Sequence, residues 1–272
     1  MKMIRRTLIA ALVALSIAYG ASAFYLAASD QNIGPKIECS TQLLEVSASA
    51  SKADLLSGVT AYDEQDGDLT GKIMVAGISK LISNDTAKVT YLVFDSDDNM
   101  ASFTRKIRYT DYRKPRFTVD PALPLIYSAS GDVTVLDRLG AQDVVDGDIS
   151  DRVRVSTLSP TDDPEIYHIT IQVTNSMGDT AWLKLPVQLL GSDPQRPTVT
   201  LSEQLVYVSA GEQIDLASYL SGVTLADGTA ADASQVTISG EVDTTQPGTY
   251  YITYAYRHEA SLGRALLTVV VV

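Results

Sequence analysis

The sequence predicts an all-β protein, with three tandem two-sheet sandwiches after an N-terminal hydrophobic helix. An acidic stretch returns at a period of about eighty residues, which is typical of repeated domains. Between the copies, apolar and polar residues alternate and turn signals recur about every ten residues, as in short antiparallel strands. The start of the chain differs, because a basic head precedes a long apolar run.

The apolar run predicts a membrane segment. Lys2, Arg5 and Arg6 form the basic head, and residues 7–28 contain no charge. An uncleaved signal anchor would use the whole run, since about 20 apolar residues span a bilayer core. We favour this interpretation, which predicts a single-pass protein of the cell membrane with extracellular C-terminal domains.

A cleaved signal peptide is the alternative. Residues 7–19 would form its apolar region, with Ala21, Ser22 and Ala23 as the small-residue cleavage site. Cleavage after Ala23 would release a secreted protein that begins at Phe24.

The repeat defines the expected domains. Residues 63–70 (Asp-Glu-Gln-Asp-Gly-Asp-Leu-Thr) return as residues 143–150, and a worn third copy spans residues 227–232. Each expected domain opens with a proline just ahead of a strand, where a missing N–H costs little. We therefore expect a signal-anchor or signal-peptide segment at residues 1–30 and three domains at residues 34–111, 114–191 and 196–272.

About eighty residues with seven or so short strands fit a sandwich of the immunoglobulin type. The first acidic loop, with Asp95-Ser-Asp-Asp-Asn99 after the next strand, resembles the bacterial Ig-like repeat of surface proteins and some pesticidal crystal proteins. The Pro247-Gly248 turn of the third copy is another hallmark of that family. The resemblance covers nearly all of residues 34–272 and implies extracellular modular structure without a shared enzymatic activity.

Charge and cysteine content exclude some classes of protein. The net charge is −12, and the head contributes +3, so the remainder sums to −15. Such an acidic body repels nucleic acid, which requires clustered Lys and Arg. Cys39 is the only cysteine and cannot form an intramolecular disulfide. We expect a small buried side chain in the first strand, with pairing to another chain as the alternative.

The acidic loops are the candidate metal ligands. Three carboxylates within six residues could supply oxygen ligands to calcium. We instead favour tight turns, in which Asp side chains bond backbone N–H groups and Gly67 and Gly147 supply positive φ. We therefore predict no metal or cofactor site, and weak calcium binding is the alternative. The residues concerned are Asp63, Asp66, Asp68, Asp143, Asp146 and Asp148.

Histidines and aromatic residues give little support for catalysis. His168 lies in an alternating strand and His258 in a predicted turn of another domain, and no nucleophile motif surrounds either. We predict no catalytic residues. Three tyrosines, Tyr91, Tyr251 and Tyr254, are predicted in sandwich cores. Trp182 is also predicted in a core, with an exposed binding platform as the alternative.

The predicted function is structural. We expect a non-enzymatic bacterial surface protein, a membrane-anchored rod of Ig-like modules that serves as stalk, adhesin or scaffold. The alternative is a secreted module that binds a glycan or protein ligand.

Overall fold

The computed structural model describes residues 2–29 and 34–272. The apolar run lies in helix α1, Lys2–Ser29. Among the described residues, no helix is both long and apolar enough to cross a membrane. The predicted single-pass localisation, with membrane contact through residues 7–28, is therefore wrong for the part of the chain that the structure describes.

The chain divides into two compact units. The first comprises residues 1–46 and 50–109, and the second comprises residues 47–49 and 110–272. The boundaries predicted from the sequence for three separate domains stay a prediction.

The first unit contains one sandwich of two sheets. One sheet has the strand order β1-β3-β4 and the other β2-β7-β6-β5, in which β2 runs parallel to β7. Its elements are β1 (Lys36–Cys39), β2 (Leu43–Val46), the one-turn helix α2 (Lys52–Leu55), β3 (Val59–Asp63), β4 (Gly67–Asp68), β5 (Met74–Ile78), β6 (Thr86–Phe94) and β7 (Met100–Tyr109).

The second unit contains two sandwiches built on the same plan. The sheets of the second sandwich have the orders β8-β10-β11 and β9-β14-β13-β12. Its strands are β8 (Arg116–Val119), β9 (Ile126–Ser128), β10 (Leu139–Asp143), β11 (Gly147–Asp148), β12 (Arg154–Pro160), β13 (Ile166–Thr174) and β14 (Thr180–Leu190).

The third sandwich has the sheets β15-β17-β18 and β16-β21-β20-β19. Its strands are β15 (Thr198–Leu201), β16 (Leu205–Val208), β17 (Leu220–Thr224), β18 (Ala230–Ala231), β19 (Thr237–Ser239), β20 (Gly248–His258) and β21 (Ser261–Val271). Short 3-10 turns occur at Thr70–Lys72, Leu136–Arg138, Ser150–Arg152, Leu216–Tyr219 and Ala233–Gln235.

The alternation in the sequence explains the strands. In β13, Ile169, Ile171 and Val173 are buried while the residues between them are partly exposed, as expected for side chains that alternate across a sheet. Each four-stranded sheet packs its apolar side against a three-stranded sheet. The all-β, Ig-like fold class predicted from the sequence is therefore confirmed.

A buried arginine sits in the first sandwich. Arg105 is 2% exposed, and its guanidinium donates hydrogen bonds to the Tyr91 hydroxyl and to the carbonyls of Leu55 and Ser57, at 2.8 to 2.9 Å. Cys39 Sγ accepts a further bond at 3.2 Å. Cys39 is thus in the predicted strand, but it is half-buried and bonded rather than a purely apolar core residue.

Candidate functional site

The acidic loop of the first sandwich is a closed turn between β3 and β4. Asp63 is buried, and its Oδ1 accepts hydrogen bonds from the backbone N–H groups of Gln65 and Asp66, at 2.8 and 3.0 Å. Gly67 has φ +74°, a conformation that glycine adopts without strain. Asp66 accepts bonds from the backbone and hydroxyl of Ser96, at 2.6 and 2.7 Å, so this loop also holds the next hairpin.

The second sandwich repeats the turn between β10 and β11. Asp143 Oδ1 accepts bonds from the N–H groups of Val145 and Asp146, both at 2.9 Å, and Gly147 has φ +72°. Asp146 accepts bonds from the backbone and hydroxyl of Ser176, at 2.6 and 2.5 Å. The turn predicted from the sequence is therefore confirmed in both copies.

The worn third copy keeps a simpler turn. Asp227 Oδ1 accepts bonds from the N–H and hydroxyl of Thr229, at 2.9 and 2.7 Å, and Gly228 has φ +87°. These bonds lower the pKa of Asp227 below its ordinary value. Within the described ranges, no group of three His, Cys, Asp or Glu side chains is placed to hold a metal ion.

The two complete loops differ at one buried contact. In the second sandwich, Asn175 Nδ2 donates to Asp143 Oδ2 at 3.0 Å. In the first sandwich the position of Asn175 is taken by Asp95, a carboxylate with no hydrogen to donate when ionised. Asp63 Oδ2 accordingly has no hydrogen-bond partner among residues 34–272.

Asp95 is bonded along its own turn instead. Asn99 Nδ2 donates to Asp95 Oδ2 at 2.8 Å, and the N–H groups of Asp97 and Asn99 donate to Oδ1. Burial raises the pKa of Asp95, but the bonds from Asn99 and Asp97 outweigh it, so the pKa lies below its ordinary value. These bonds close the hairpin turn between β6 and β7, where Phe94 pairs with Met100.

The predicted core aromatics divide into two groups. Tyr91 and Tyr254 are fully buried, as predicted. Tyr251 is only half-buried, and its ring lies 5.0 Å from the ring of His168 in the second sandwich. His258 ends β20 rather than lying within a turn.

Trp182 is exposed, and the predicted core position is wrong. Its side chain keeps 57% of its accessible surface. Leu183 and Leu185 face the core, and because side chains alternate along β14, Trp182 and Lys184 point outward. The run Trp-Leu-Lys-Leu contains this signal, since the two leucines must share one face.

Trp182 belongs to a row of side chains across the outer side of the sheet. Arg154 of β12 pairs with Gln172 of β13, which pairs with Trp182 of β14. In the adjacent row the hydroxyls of Thr174 and Thr180 lie 2.8 Å apart. We call the following outward-facing residues the Trp182 face: Arg154, Thr170, Gln172, Thr174, Thr180, Trp182 and Lys184.

The Trp182 face is cationic in an acidic protein. It carries Arg154 and Lys184 and no carboxylate, whereas the whole chain has a net charge of −12. Arg154 Nη1 donates to the carbonyls of Asp151 and Val153, both at 2.7 Å, and within residues 34–272 no partner is found for its Nε and Nη2. Burial, and then the charge of Lys184, lower the pKa of nearby His168 below its ordinary value.

Ion pairs join the second and third sandwiches within their unit. Arg264 of β21 pairs with Asp163 and, at 2.6 Å, with Glu165, and Arg196 also pairs with Glu165, at 2.9 Å. The bond from Arg264 holds the pKa of Asp163 below its ordinary value, and the bond from Arg196 does the same for Glu165.

Further contacts make this junction continuous. Tyr207 Oη accepts a bond from the Phe117 N–H at 2.9 Å, and Tyr251 Oη donates to the Lys184 carbonyl at 3.0 Å. Leu205 of β16 packs with the core of the second sandwich. A cavity of about 310 Å³ remains between the two sandwiches.

Comparison with known proteins identifies one family match. Residues 205–270, which run from the start of β16 to the penultimate residue of β21, match the family described as bacterial Ig-like domain (group 3). The resemblance predicted from the sequence is therefore confirmed for this part of the chain. An "uncharacterized 81.3 kDa protein" of Acholeplasma phage L2 is 29% identical over 142 residues. That alignment covers 50% of this chain and only 19% of the phage protein.

Solved structures with similar parts include bacterial and human proteins. One is the structure of CBM51-2 in complex with GlcNAc and INT domains from Clostridium perfringens ZmpB, which is 18% identical in sequence. The match covers 55% of this chain and 26% of the ZmpB chain, with a TM-score of 0.24. Another is human CDH23 EC21-23, which is 12% identical in sequence. That match covers 87% of this chain and 99% of the CDH23 chain, with a TM-score of 0.21. The family match supports only a coarse description of the chain, as a non-enzymatic binding or surface module.

Proposed function

We propose that this chain is an exported, non-enzymatic module that binds an acidic glycan through the Trp182 face. The observation that carries the proposal is the exposed tryptophan in one row with Arg154 and Gln172, on a face without carboxylates. Stalk, adhesin and scaffold roles stay predictions.

The indole ring supplies the apolar part of such a site. An aromatic ring is large and rigid, so it offers contact area at a low cost in conformational entropy. The C–H faces of a sugar ring can pack on it, while the indole Nε1–H remains available to a hydroxyl. Gln172, beside Trp182 in the row, adds amide donors and an acceptor.

The charge of the face selects the class of glycan. A guanidinium presents its donors as a planar fork that matches a carboxylate. The Nε and Nη2 edge of Arg154 is available for a sugar carboxylate, since the described bonds of that side chain all use Nη1. Lys184 adds a second positive charge two residues along β14 from Trp182. A uronic acid polymer therefore fits the face better than a neutral one.

Export is proposed on the sequence of the N-terminal segment. Residues 1–23 combine a basic head, an apolar region and the Ala-Ser-Ala site, and cleavage after Ala23 would release a secreted protein. N-terminal sequencing of the protein from the culture medium tests this step. Recovery of the intact chain beginning at Met1 would contradict cleavage.

Calorimetric titration with two oligosaccharides tests the binding proposal. We expect a galacturonic acid tetrasaccharide to bind and maltotetraose to bind at least tenfold more weakly. Trp182→Ser should reduce the affinity for the acidic tetrasaccharide at least tenfold, which is about 1.4 kcal/mol.

Leu158→Ser is the matched control. Leu158 lies on β12 of the same sheet and is 59% exposed, but it is outside the Trp182 face. This variant should bind like the parent protein. If the acidic tetrasaccharide gives no binding heat, or if Trp182→Ser binds it as tightly as the parent, the proposal fails.

A further inference from the structure

The outer side of the four-stranded sheet in the first sandwich contains an open groove of about 890 Å³. Strands β6 and β7, the start of β2 and the segment between β5 and β6 all contribute to its lining. Lys88 and Lys106 are exposed within it, and they alternate along their strands with the buried Val89 and Ile107. The volume lies within the range of small-molecule sites, so the groove can hold more than a single inorganic ion.

The groove is cationic in an acidic protein. Every ionisable side chain that lines it is basic, namely Lys88, Arg105, Lys106 and Arg108. Arg105 is bonded within the core, and Arg108 lies 3.4 Å from Glu45 and 3.9 Å from Asp85. Within residues 34–272, neither lysine forms an ion pair with a carboxylate. The two lysines are therefore the cations of the groove whose charge is not balanced.

Strand pairing places the two lysines side by side. Lys88 of β6 and Lys106 of β7 are direct cross-strand partners. Side chains at such positions stand on one face with Cβ atoms about 5 Å apart, and like charges there are destabilising. Two ammonium groups at this spacing can both reach one anion, which would replace their repulsion by attraction. The pair thus costs stability in the free protein and contributes to the binding of an anion.

The second sandwich shows that the fold does not require this pair. His168 and Pro186 are the cross-strand partners at the corresponding positions, eighty residues later. The His168 ring lies 5.0 Å from the ring of Tyr251 in the third sandwich, so this part of the sheet is used for packing there. In the first sandwich the same two positions carry exposed lysines instead.

We propose that the groove binds a phosphorylated sugar, with its phosphate held between Lys88 and Lys106. A phosphate monoester carries nearly two negative charges at neutral pH, which matches two ammonium groups. An ammonium group binds phosphate as a point charge, whereas a planar carboxylate is matched better by the fork of an arginine. Gln42 and Ser83 line the groove and can hydrogen-bond to sugar hydroxyls. The groove shares no residue with the Trp182 face, so this site is separate from the proposed acidic-glycan site.

Calorimetric titration of the full chain with three probes tests the proposal. Glucose 6-phosphate should bind saturably, and glucose should bind at least tenfold more weakly because it lacks the charge. Inorganic phosphate should bind severalfold more weakly than glucose 6-phosphate because it lacks the sugar contacts. The absence of saturable binding by glucose 6-phosphate would overturn the proposal, and so would equal binding of either partial probe.

Three variants locate the binding site. Lys88→Gln and Lys106→Gln should each weaken the binding of glucose 6-phosphate at least fivefold. Each should also leave the thermal midpoint of the free protein equal or higher, because the cross-strand repulsion is removed. Lys72→Gln is the matched control, since Lys72 is an exposed lysine of the same sandwich outside the groove lining, and it should bind like the parent. Unchanged binding in both groove variants, or an equal loss in Lys72→Gln, would overturn the proposal.

Tryptophan fluorescence separates this groove from the Trp182 face. Trp182 is the only tryptophan in the chain and lies outside the groove lining, so glucose 6-phosphate should leave its emission unchanged. A saturable change in emission with glucose 6-phosphate would place this ligand on the Trp182 face and contradict the proposal.

Discussion

The first and second sandwiches present different side chains at the same positions of the same sheet. In the first, Met74 pairs with Leu92, which pairs with Ser102. Eighty residues later the corresponding row is Arg154, Gln172 and Trp182, which is part of the Trp182 face. The strand register is the same in both sandwiches, but a row of Met, Leu and Ser in the first corresponds to a row of Arg, Gln and Trp in the second. The two sandwiches therefore share a fold but differ in surface chemistry, and function depends on such surfaces in shared folds.

The acidic loops differ in a second way. The first sandwich has Asp95 and Asn99 where the second has Asn175 and Asp179, so the carboxylate and the amide exchange places. Only the second arrangement gives the Oδ2 atom of the buried loop aspartate a donor, from Asn175 to Asp143. The variants below remove these two differences or transfer them between the sandwiches, beginning with the largest expected effect.

Asn175→Asp should destabilise the second sandwich by about 2 kcal/mol, because a buried carboxylate loses its donor and gains a negative neighbour. Hydrogen exchange measured by mass spectrometry should show faster exchange in peptides from β13 and β14. Peptides from β6 and β7 of the first unit are the internal control. Unchanged exchange in β13 and β14 would show that the amide is dispensable.

Arg154→Met installs the residue that the first sandwich has in this row. We expect about tenfold weaker binding of the galacturonic acid tetrasaccharide, or about 1.4 kcal/mol, since the carboxylate loses its guanidinium partner. Binding to the parent protein should weaken as salt is added, and this dependence should be smaller in the variant. If calorimetry gives the parent and Arg154→Met equal affinity and equal salt dependence, the charge of Arg154 does not contribute to recognition.

The exchanged pair can be moved into the first sandwich. Asp95→Asn combined with Asn99→Asp copies the second loop and should give Asp63 Oδ2 a donor. We expect slower hydrogen exchange in β6 and β7 than in the parent, by a few-fold. Asp95→Asn alone is the control, because it places two amide NH₂ groups together. Its hydrogen exchange in β6 and β7 should slow less than that of the double variant. Faster exchange in the double variant would contradict the comparison.

The ion pairs of the second unit predict a modest pH dependence. The lowered pKa values of Asp163 and Glu165 mean that their contribution to stability is present above the unfolded values of about 4. It is lost as the pH falls through the lower folded values. Arg264→Met should therefore reduce the fall in the thermal midpoint between pH 7 and pH 3. An identical fall in both proteins would indicate that these pairs contribute nothing.

Sequence reasoning predicted the fold well because its signals are local. Alternation predicted short antiparallel strands, and the structure has them, for example in β6, β13 and β20. A proline was expected just ahead of the first strand of each domain, and Pro35, Pro115 and Pro197 lie there. Both acidic turns followed from the chemistry of Asp and Gly.

The site was harder to predict. Gln172 and Trp182 are ten residues apart, and Arg154 reaches their row only through strand pairing, which the sequence does not specify. The exposure of Trp182 was readable from its leucine neighbours. The pairing of Lys88 with Lys106 likewise depends on the register of β6 and β7 and has no local signal. The membrane prediction followed from composition alone, and the described part of the helix did not support it.

Trp182 is the only tryptophan in the chain, so its fluorescence reports on one side chain. The central claim predicts that the galacturonic acid tetrasaccharide changes this emission saturably, with the dissociation constant found by calorimetry, and that maltotetraose does not. Calorimetric binding of the tetrasaccharide without any change in tryptophan emission would place the ligand elsewhere and contradict the claim.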